Sequence, residues 1–217
     1  MKEFITYSAA MLKTFKQCPK KFEYKYVMEI NIPIDTSKIK QGKNVHAIAS
    51  YYLKNYNTEK LEKSLSTNEK VLWNNLKNNT YFNLETVQSE YNLTSKILEY
   101  RINGRLDALV KDNDNYYILD YKTGKIPQNT EQDYQTIIYL IITDKLIQKY
   151  SSLNFIYIDL KNNTNKIIPF NPEIKIEYET ILKTGIEEIE KCTKHNIFKK
   201  NSECKMCEYA KICTNQA

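Results

Sequence analysis

A chain of 217 residues, 41% hydrophobic and 27% charged, can bury one sizeable core and is too short for two full ones. Its 4 Gly and 5 Pro, with a mean hydropathy of −0.60, exclude collagen-like and low-complexity classes, and no apolar run approaches the roughly 18 residues of a membrane span. A net charge of +6, from 32 Lys and Arg against 26 Asp and Glu, suits a polyanionic partner, although lysines spread along the whole chain fit a solvated surface equally well. Met1 to Tyr7 carry neither the apolar stretch nor the small-residue cleavage site of a secretory signal, so a reducing cytoplasm is the expected location.

Ser8 is an N-cap residue, and Met11, Leu12 and Phe15 at helical spacing predict a short helix that delivers Cys18 at its end, before Pro19. Lys20 to Tyr26 reads as a second helical stretch. Ser37 to Tyr56 predicts a longer helix with Val45, Ile48, Ala49, Tyr52 and Leu53 as its apolar stripe and His46 beside it, and Glu59 to Leu76 reads as one further helix. The period then changes to two, so Glu85 to Leu93, Ile97 to Val110 and Tyr116 to Lys122 are three successive strands. Glu131 to Tyr150 returns to helical periodicity. Leu153 to Leu160 and Lys166 to Phe170 are strands about a turn at Asn162-Asn163-Thr164-Asn165, and Glu173 to His195 is a helix before a cysteine-rich tail.

Five cysteines, Cys18, Cys192, Cys204, Cys207 and Cys213, argue by their odd count against a disulfide framework. Cys204-Lys205-Met206-Cys207 followed by Cys213 has instead the spacing of thiolate ligands to a metal ion or an iron–sulfur cluster, with one position left open. The strands about Asp112-Asn113-Asp114-Asn115 carry a second constellation. If Asn113-Asp114 are the turn, Val110 faces Tyr117, Ala108 faces Leu119 and Leu106 faces Tyr121 on an apolar face. The other face then sets Asp107 opposite Asp120, side-chain origins roughly 5 Å apart, with Lys122 one pleat further on. Opposed like charges destabilise a sheet unless something offsets them, and a divalent cation with oxygen ligands does so. Two aspartates at a solvated sheet edge, or a register shifted by two, are the alternatives that these residues leave open.

Four separated motifs resemble the PD-(D/E)XK nucleases, in particular their RecB-type exonuclease branch. Gly104-Arg105-Leu106-Asp107 is similar to that branch's Gly-x-x-Asp strand, and Asp120-Tyr121-Lys122-Thr123-Gly124 to its Asp-Tyr-Lys-Thr-Gly strand. Gln135 with Tyr139 resembles its Gln-x-x-x-Tyr helix, and Gly42 with His46 its upstream histidine helix. The resemblance implies an α/β, restriction-endonuclease-like core, a mixed central sheet flanked by helices. It implies one domain over 1–217, with a nuclease core at 37–195, a helical insertion at about 58–80 and cluster-binding ends at 1–36 and 196–217. Cys18-Pro19 resembles the amino-terminal cysteine that joins a carboxy-terminal cysteine group in cluster-bearing members. Those members are AddB-type helicase-nuclease subunits and the CRISPR-associated exonucleases of the fourth Cas family. A 4Fe-4S cluster on Cys18, Cys204, Cys207 and Cys213 is thereby implied, zinc being the rival occupant, while Cys192 is expected to be a half-buried structural cysteine.

By the same resemblance, His46, Asp107 and Asp120, with the Tyr121 carbonyl, would hold one or two Mg²⁺ or Mn²⁺ ions, and Lys122 would orient or activate the attacking water. Glu90, in the preceding strand, would orient Lys122 or assist a second metal, or would be a solvated strand glutamate. Gln135 and Tyr139, four apart on a helix, would contact the phosphate backbone or position active-site groups. The implied activity is metal-dependent exonucleolytic hydrolysis of single-stranded DNA or DNA ends, in repair or recombination, CRISPR adaptation or phage DNA processing. An integrase or helicase is the implied protein partner, with no role for a membrane. The alternative is a non-catalytic iron–sulfur, nucleic-acid-binding adaptor. The Asp-Tyr-Lys-Thr-Gly strand is closer to RecB and AddB domains, whereas the chain length is closer to the CRISPR-associated and phage-type exonucleases.

Overall fold

In the computed structural model, which describes residues 6–33, 37–201, 204 and 207–214, two hydrophobic clusters sandwich one six-stranded sheet. Stretches 1–5, 34–36, 202–203, 205–206 and 215–217, all within or beside the ends expected to bind a cluster, lie outside the described residues. Alternation along the strands sorts the core. Leu109 and Ile118 enter the first cluster with α1 (Ala9–Gln17), α6 (Tyr134–Ile147) and α7 (Pro172–His195). Ala108, Val110 and Leu119 enter the second, with α3 (Ser37–Leu53) and α5 (Thr67–Lys77). The expected mixed sheet flanked by helices is what the chain forms.

The Ser8 hydroxyl accepts the Met11 N–H and starts α1, and Pro19 opens α2 (Pro19–Phe22) after an extended Cys18. A π-helical turn, Glu23–Val27, follows. The single helix expected over Glu59 to Leu76 is two, α4 (Glu59–Ser64) and α5. Ser66 accepts the Glu69 N–H while the Glu69 carboxylate accepts the Ser66 N–H, and this capping box restarts the helix. Within the stretch expected as an insertion, α5 buries Leu72, Trp73 and Leu76 in the second cluster. Two short elements had no periodicity to announce them: β1 (Tyr7–Ser8) and α8 (Ala210–Thr214).

The sheet comprises β1, β2 (Glu85–Ile97), β3 (Tyr100–Asp112), β4 (Asn115–Lys122), β5 (Ser152–Asp159) and β6 (Thr164–Phe170). Its order is β1-β3-β4-β5-β6, with β2 against β3; β1–β3 and β4–β5 are parallel and the other pairings antiparallel. Asn113, at φ 53°, makes the expected turn, and Val110↔Tyr117 and Ala108↔Leu119 pair in the expected register. The ladder nevertheless ends at Ala108↔Leu119, one pair short of Asp107 and Asp120. Leu106 accordingly does not share the apolar face of Ala108: it lies in the first cluster, whereas Ala108 and Tyr121 lie in the second.

The cause is the edge of β3. One edge is covered by β2 from Tyr100 to Lys111. The other pairs with β1 at Ile102 and Asn103 and with β4 from Ala108 onward, which leaves Gly104, Arg105, Leu106 and Asp107 between two partners. Among the described residues no helix is long and apolar enough to cross a membrane. Cys192 is half-buried against the first cluster, as expected, and His195 is exposed in the last turn of α7.

Candidate active site

The gap in the edge of β3 is closed by side chains. Tyr139, from α6, accepts the Arg105 N–H on its hydroxyl at 3.2 Å, so a backbone donor that β1 and β4 cannot reach is satisfied. Its ring lies flat enough on Gly104 that a Cβ there would stand 2.5 Å from Tyr139 Cε1. At the other end of the gap Asp107 Oδ2 accepts the Tyr121 N–H at 2.9 Å, in place of the carbonyl that β3 no longer supplies.

The second Asp107 oxygen, Oδ1, is 3.1 Å from His46 Nδ1, and His46 Nε2 is 3.0 Å from the Tyr121 carbonyl. His46 stands on α3, whose neighbours Val45, Ile48 and Ala49 are buried in the second cluster, so the helix face that packs the core also aims the imidazole at the strand ends. A carboxylate and a carbonyl are both acceptors, and a ring donating to each carries two protons. Burial alone lowers the His46 pKa, but the hydrogen bond and charge of Asp107, then Asp120 and the Tyr121 carbonyl, outweigh it and push it up to about 9.

Asp120 leaves the sheet on the opposite side and is buried. Lys122 Nζ is 2.7 Å from its Oδ2, and Gln135 Nε2 donates to its Oδ1. Gln135 Oε1 in turn accepts from Lys122 Nζ at 3.3 Å and from Lys13 Nζ at 3.4 Å. Burial and the charge of Asp107 push Asp120 up to about 6, with Lys122 and His46 opposing. Lys122 also stands 5.5 Å from the centroid of the Tyr157 ring. The site thus straddles the sheet: His46 approaches from one helical layer, Gln135 from the other, and the parted ends of β3 and β4 let them meet.

Glu90 completes the acidic side. It lies in β2 with φ 50°, a left-handed backbone that costs a non-glycine residue on the order of 1 kcal/mol. Its Oε2 is 2.5 Å from Arg105 Nε, and burial followed by the Asp107 charge pushes its pKa up. His46, Glu90 and Asp107 each offer one ligand atom, all within 4.8 Å of one another. A nitrogen and two carboxylate oxygens at that separation suit a hard divalent cation. These groups floor an open cleft of about 850 Å³, rimmed by Lys43, Lys54, Arg105 and Lys122.

Of the residues anticipated from sequence, His46, Asp107, Asp120, Lys122, Glu90 and Gln135 meet here. Tyr139 is buried under Gly104 and shapes β3 rather than facing the cleft. Asp133, which caps α6 and accepts the Gln135 N–H at 2.8 Å, was legible as an N-cap two residues before Gln135. Lys13, paired with Asp133 at 2.8 Å, had no signal, because α1 reaches α6 only through the fold.

A second cavity lies between the chain ends: Cys18, Cys204, Cys207 and Cys213 line it together with Lys20, Lys21 and Lys200. Protein contacts hold the same ends, with Lys20 N–H donating to the Lys199 carbonyl at 3.1 Å and Asn201 Nδ2 to the Gln17 carbonyl at 2.8 Å. Four free thiols among lysines are a donor set for a thiolate-bound metal centre.

The sequence model of the PD-(D/E)XK nuclease superfamily matches residues 6–214. This chain belongs to that superfamily. It is 25% identical over 137 residues, 62% of its length and 67% of the relative's, to the CRISPR-associated exonuclease Cas4 of Francisella tularensis subsp. novicida. Its fold is similar to that of a candidate exonuclease from Eubacterium rectale, at a TM-score of 0.61 and 10% identity over 94% of this chain and 88% of the other. PD-(D/E)XK nucleases use divalent metals, in keeping with the His46, Glu90 and Asp107 cluster.

Proposed function

We propose that this PD-(D/E)XK protein is a Mg²⁺- or Mn²⁺-dependent deoxyribonuclease that hydrolyses single-stranded DNA or DNA ends exonucleolytically. The observation that carries the reading is the His46, Glu90 and Asp107 cluster beside the Asp120–Lys122 ion pair, on the floor of a cleft with a cationic rim. His46, Glu90, Asp107 and Asp120, with the Tyr121 carbonyl, would hold the metal. When bound, the ion polarises the scissile phosphate and lowers the pKa of the attacking water.

The remaining work falls to the chain itself. Asp107 and the Tyr121 carbonyl fix the His46 ring, and the proton on Nε2 must leave before that nitrogen can ligate. Lys43, Lys54 and Arg105 neutralise the incoming phosphodiester backbone. Lys122, held by Asp120 and Gln135, presents its ammonium to the attacking water and to the charge that builds on the phosphoryl oxygens as the bridging P–O bond breaks. A pure scaffold needs none of this, which disfavours the adaptor reading.

The four-cysteine cavity is proposed to hold a 4Fe-4S cluster that clasps the two ends of the domain in a reducing cytoplasm, with zinc as the rival occupant. Likeness to a CRISPR-associated exonuclease supports a role in CRISPR adaptation with an integrase partner ahead of repair or phage processing. The test is degradation of single-stranded DNA, labelled separately at each end, by anaerobically purified protein with Mg²⁺ or Mn²⁺, beside Asp120→Ala. Metal-dependent loss that vanishes in the variant is expected. Cleavage that persists in the variant would sink the assignment of the site.

A further inference from the structure

Along α3, Lys43, His46, Ala47, Ser50 and Tyr51, with Lys54 just past the helix end, line the wall of the cleft. Val45, Ile48, Ala49 and Leu53 of the same helix are buried in the second cluster, and Tyr52, 38% exposed, lies over that cluster with its ring stacked on Phe82 at a centroid distance of 5.7 Å. Tyr51 has no core partner for its ring among the described ring pairs: 49% exposed, it meets Tyr56 edge to face at 5.8 Å.

The helix ending explains how Tyr56 comes back. Asn55 takes φ 60°, the Asn55 N–H donates to the Tyr52 carbonyl at 2.9 Å, and the Tyr56 N–H donates to the Tyr51 carbonyl at 3.0 Å. This is a Schellman ending, in which an apolar contact between the residues in the positions of Tyr51 and Tyr56 is usual. Helix termination alone accounts for the pair touching. It does not account for two aromatic rings left 49% and 61% exposed at the mouth of the candidate active site, since any aliphatic pair would serve the cap. Tyr51 stands five residues beyond His46, roughly 7–8 Å along the helix axis and about 140° around it, so the two side chains lie at the two edges of the wall that both line.

We propose that Tyr51 and Tyr56 form a stacking platform for an unpaired nucleobase next to the scissile phosphate, and that this platform makes the cleft select single-stranded DNA. The inference rests on the nuclease reading of the cleft and names its substrate determinant. A base in a duplex has both faces covered by its neighbours, so only a single strand or a frayed end offers a face to the tyrosines. Lys54 and Arg105 line the same cleft and would take the adjoining phosphates.

The test is binding of a single-stranded oligonucleotide carrying 2-aminopurine, in chelator so that nothing is cut, by the full-length protein and three double variants. Wild type is expected to quench the fluorophore. Tyr51→Ala with Tyr56→Ala should lose the quench and raise Kd roughly tenfold or more. Tyr51→Phe with Tyr56→Phe keeps a π-face and should bind as wild type does. Tyr51→Leu with Tyr56→Leu keeps the apolar helix-cap contact, and with it the melting temperature, yet should behave like the alanine pair. An oligonucleotide of abasic residues should bind wild type and the leucine pair equally, because removing the bases and removing the rings delete one interaction. A leucine pair that binds and quenches like wild type overturns the platform, whether or not DNA is cut. A wild type that quenches but cuts nothing with either metal overturns the nuclease reading and leaves the platform standing.

Discussion

Gly104 and Tyr139 are a matched pair: a Cβ on residue 104 would lie 2.5 Å from Tyr139 Cε1, while the Tyr139 hydroxyl takes the N–H of Arg105 at 3.2 Å. Two motifs 35 positions apart thus meet as one device that holds β3 apart from β4 just before Asp107. Gly104→Ala is expected to cost about 1–3 kcal/mol, because the ring is buried and cannot withdraw. Tyr139→Phe should cost about 1 kcal/mol by a different route, removing the acceptor of the part-buried Arg105 N–H. Denaturant unfolding of Gly104→Ala, Tyr139→Ala and the double variant measures the coupling. Additive losses would show that the close approach seen here has no energetic consequence.

Asp120 sets activity against stability. Burial pushes its pKa up to about 6, above the ordinary 3.8, so ionising it costs more in the folded than in the unfolded chain. That penalty appears as pH rises through 3.8 to 6 and is fully present above. Asp120→Asn is therefore expected to lose at least a hundredfold in nuclease activity while melting no lower, or higher, than wild type at neutral pH in chelator. A marked drop in melting temperature would mean that the ion pair with Lys122 outweighs desolvation.

His46 gives the metal-free protein a pH dependence of the same sign in a higher window. A folded pKa of about 9 against an unfolded 6.5 contributes stability that is complete below pH 6.5 and lost as pH rises to about 9. The full loss is on the order of 3 kcal/mol. Denaturant titrations in chelator between pH 6 and 9 should show it, and His46→Gln should flatten the curve. Equal slopes in the two proteins would remove the hydrogen bonds to Asp107 and the Tyr121 carbonyl as the source.

Cys18 stands outside the sheet core, on the seam between the chain ends. Cys18→Ser should strip most of the iron and acid-labile sulfide from anaerobically purified protein and lower its melting temperature by several degrees. Cys192→Ser, at a half-buried position away from that cavity, should keep both. Zinc in place of iron in wild type would identify the rival occupant, and a metal content unchanged by Cys18→Ser would exclude this thiol as a ligand.

The cationic rim predicts binding that weakens steeply with salt. For a single strand, each phosphate contact contributes about 0.7 to the slope of log affinity against log salt. Lys43→Ala or Lys54→Ala should each reduce the slope by about that amount in the catalytically silent Asp120→Asn background. Unchanged slopes would place the backbone elsewhere on the surface.

Much of this was legible before any coordinates. Period-two alternation and the Asn113-Asp114 turn determined the β3–β4 register, and the two-residue spacing of Asp120 and Lys122 put their charges together, because both are properties of neighbouring residues in an extended chain. The cysteine spacing marked a thiolate site for the same local reason. The capping box at Ser66, by contrast, was readable but competed with a longer apolar stripe, and the stripe alone suggests one helix where there are two.

What local pattern could not determine is where the ladder stops. Register alone placed Asp107 against Asp120 on one face; the tertiary structure ends the pairing at Ala108↔Leu119, because β1 and Tyr139 take over the edge of β3. Asp107 then turns its carboxylate to the Tyr121 N–H and to His46, Asp120 goes to Lys122 and Gln135 on the other side, and Glu90 joins Asp107 from β2. Apart from the Asp120–Lys122 pair, these contacts join residues 14 to 61 positions apart in the sequence. The sequence by itself marked the candidate site residues, since residue type and short spacing are local. Only the packing of two helical layers on a parted sheet decided which carboxylate faces the histidine and which faces the lysine.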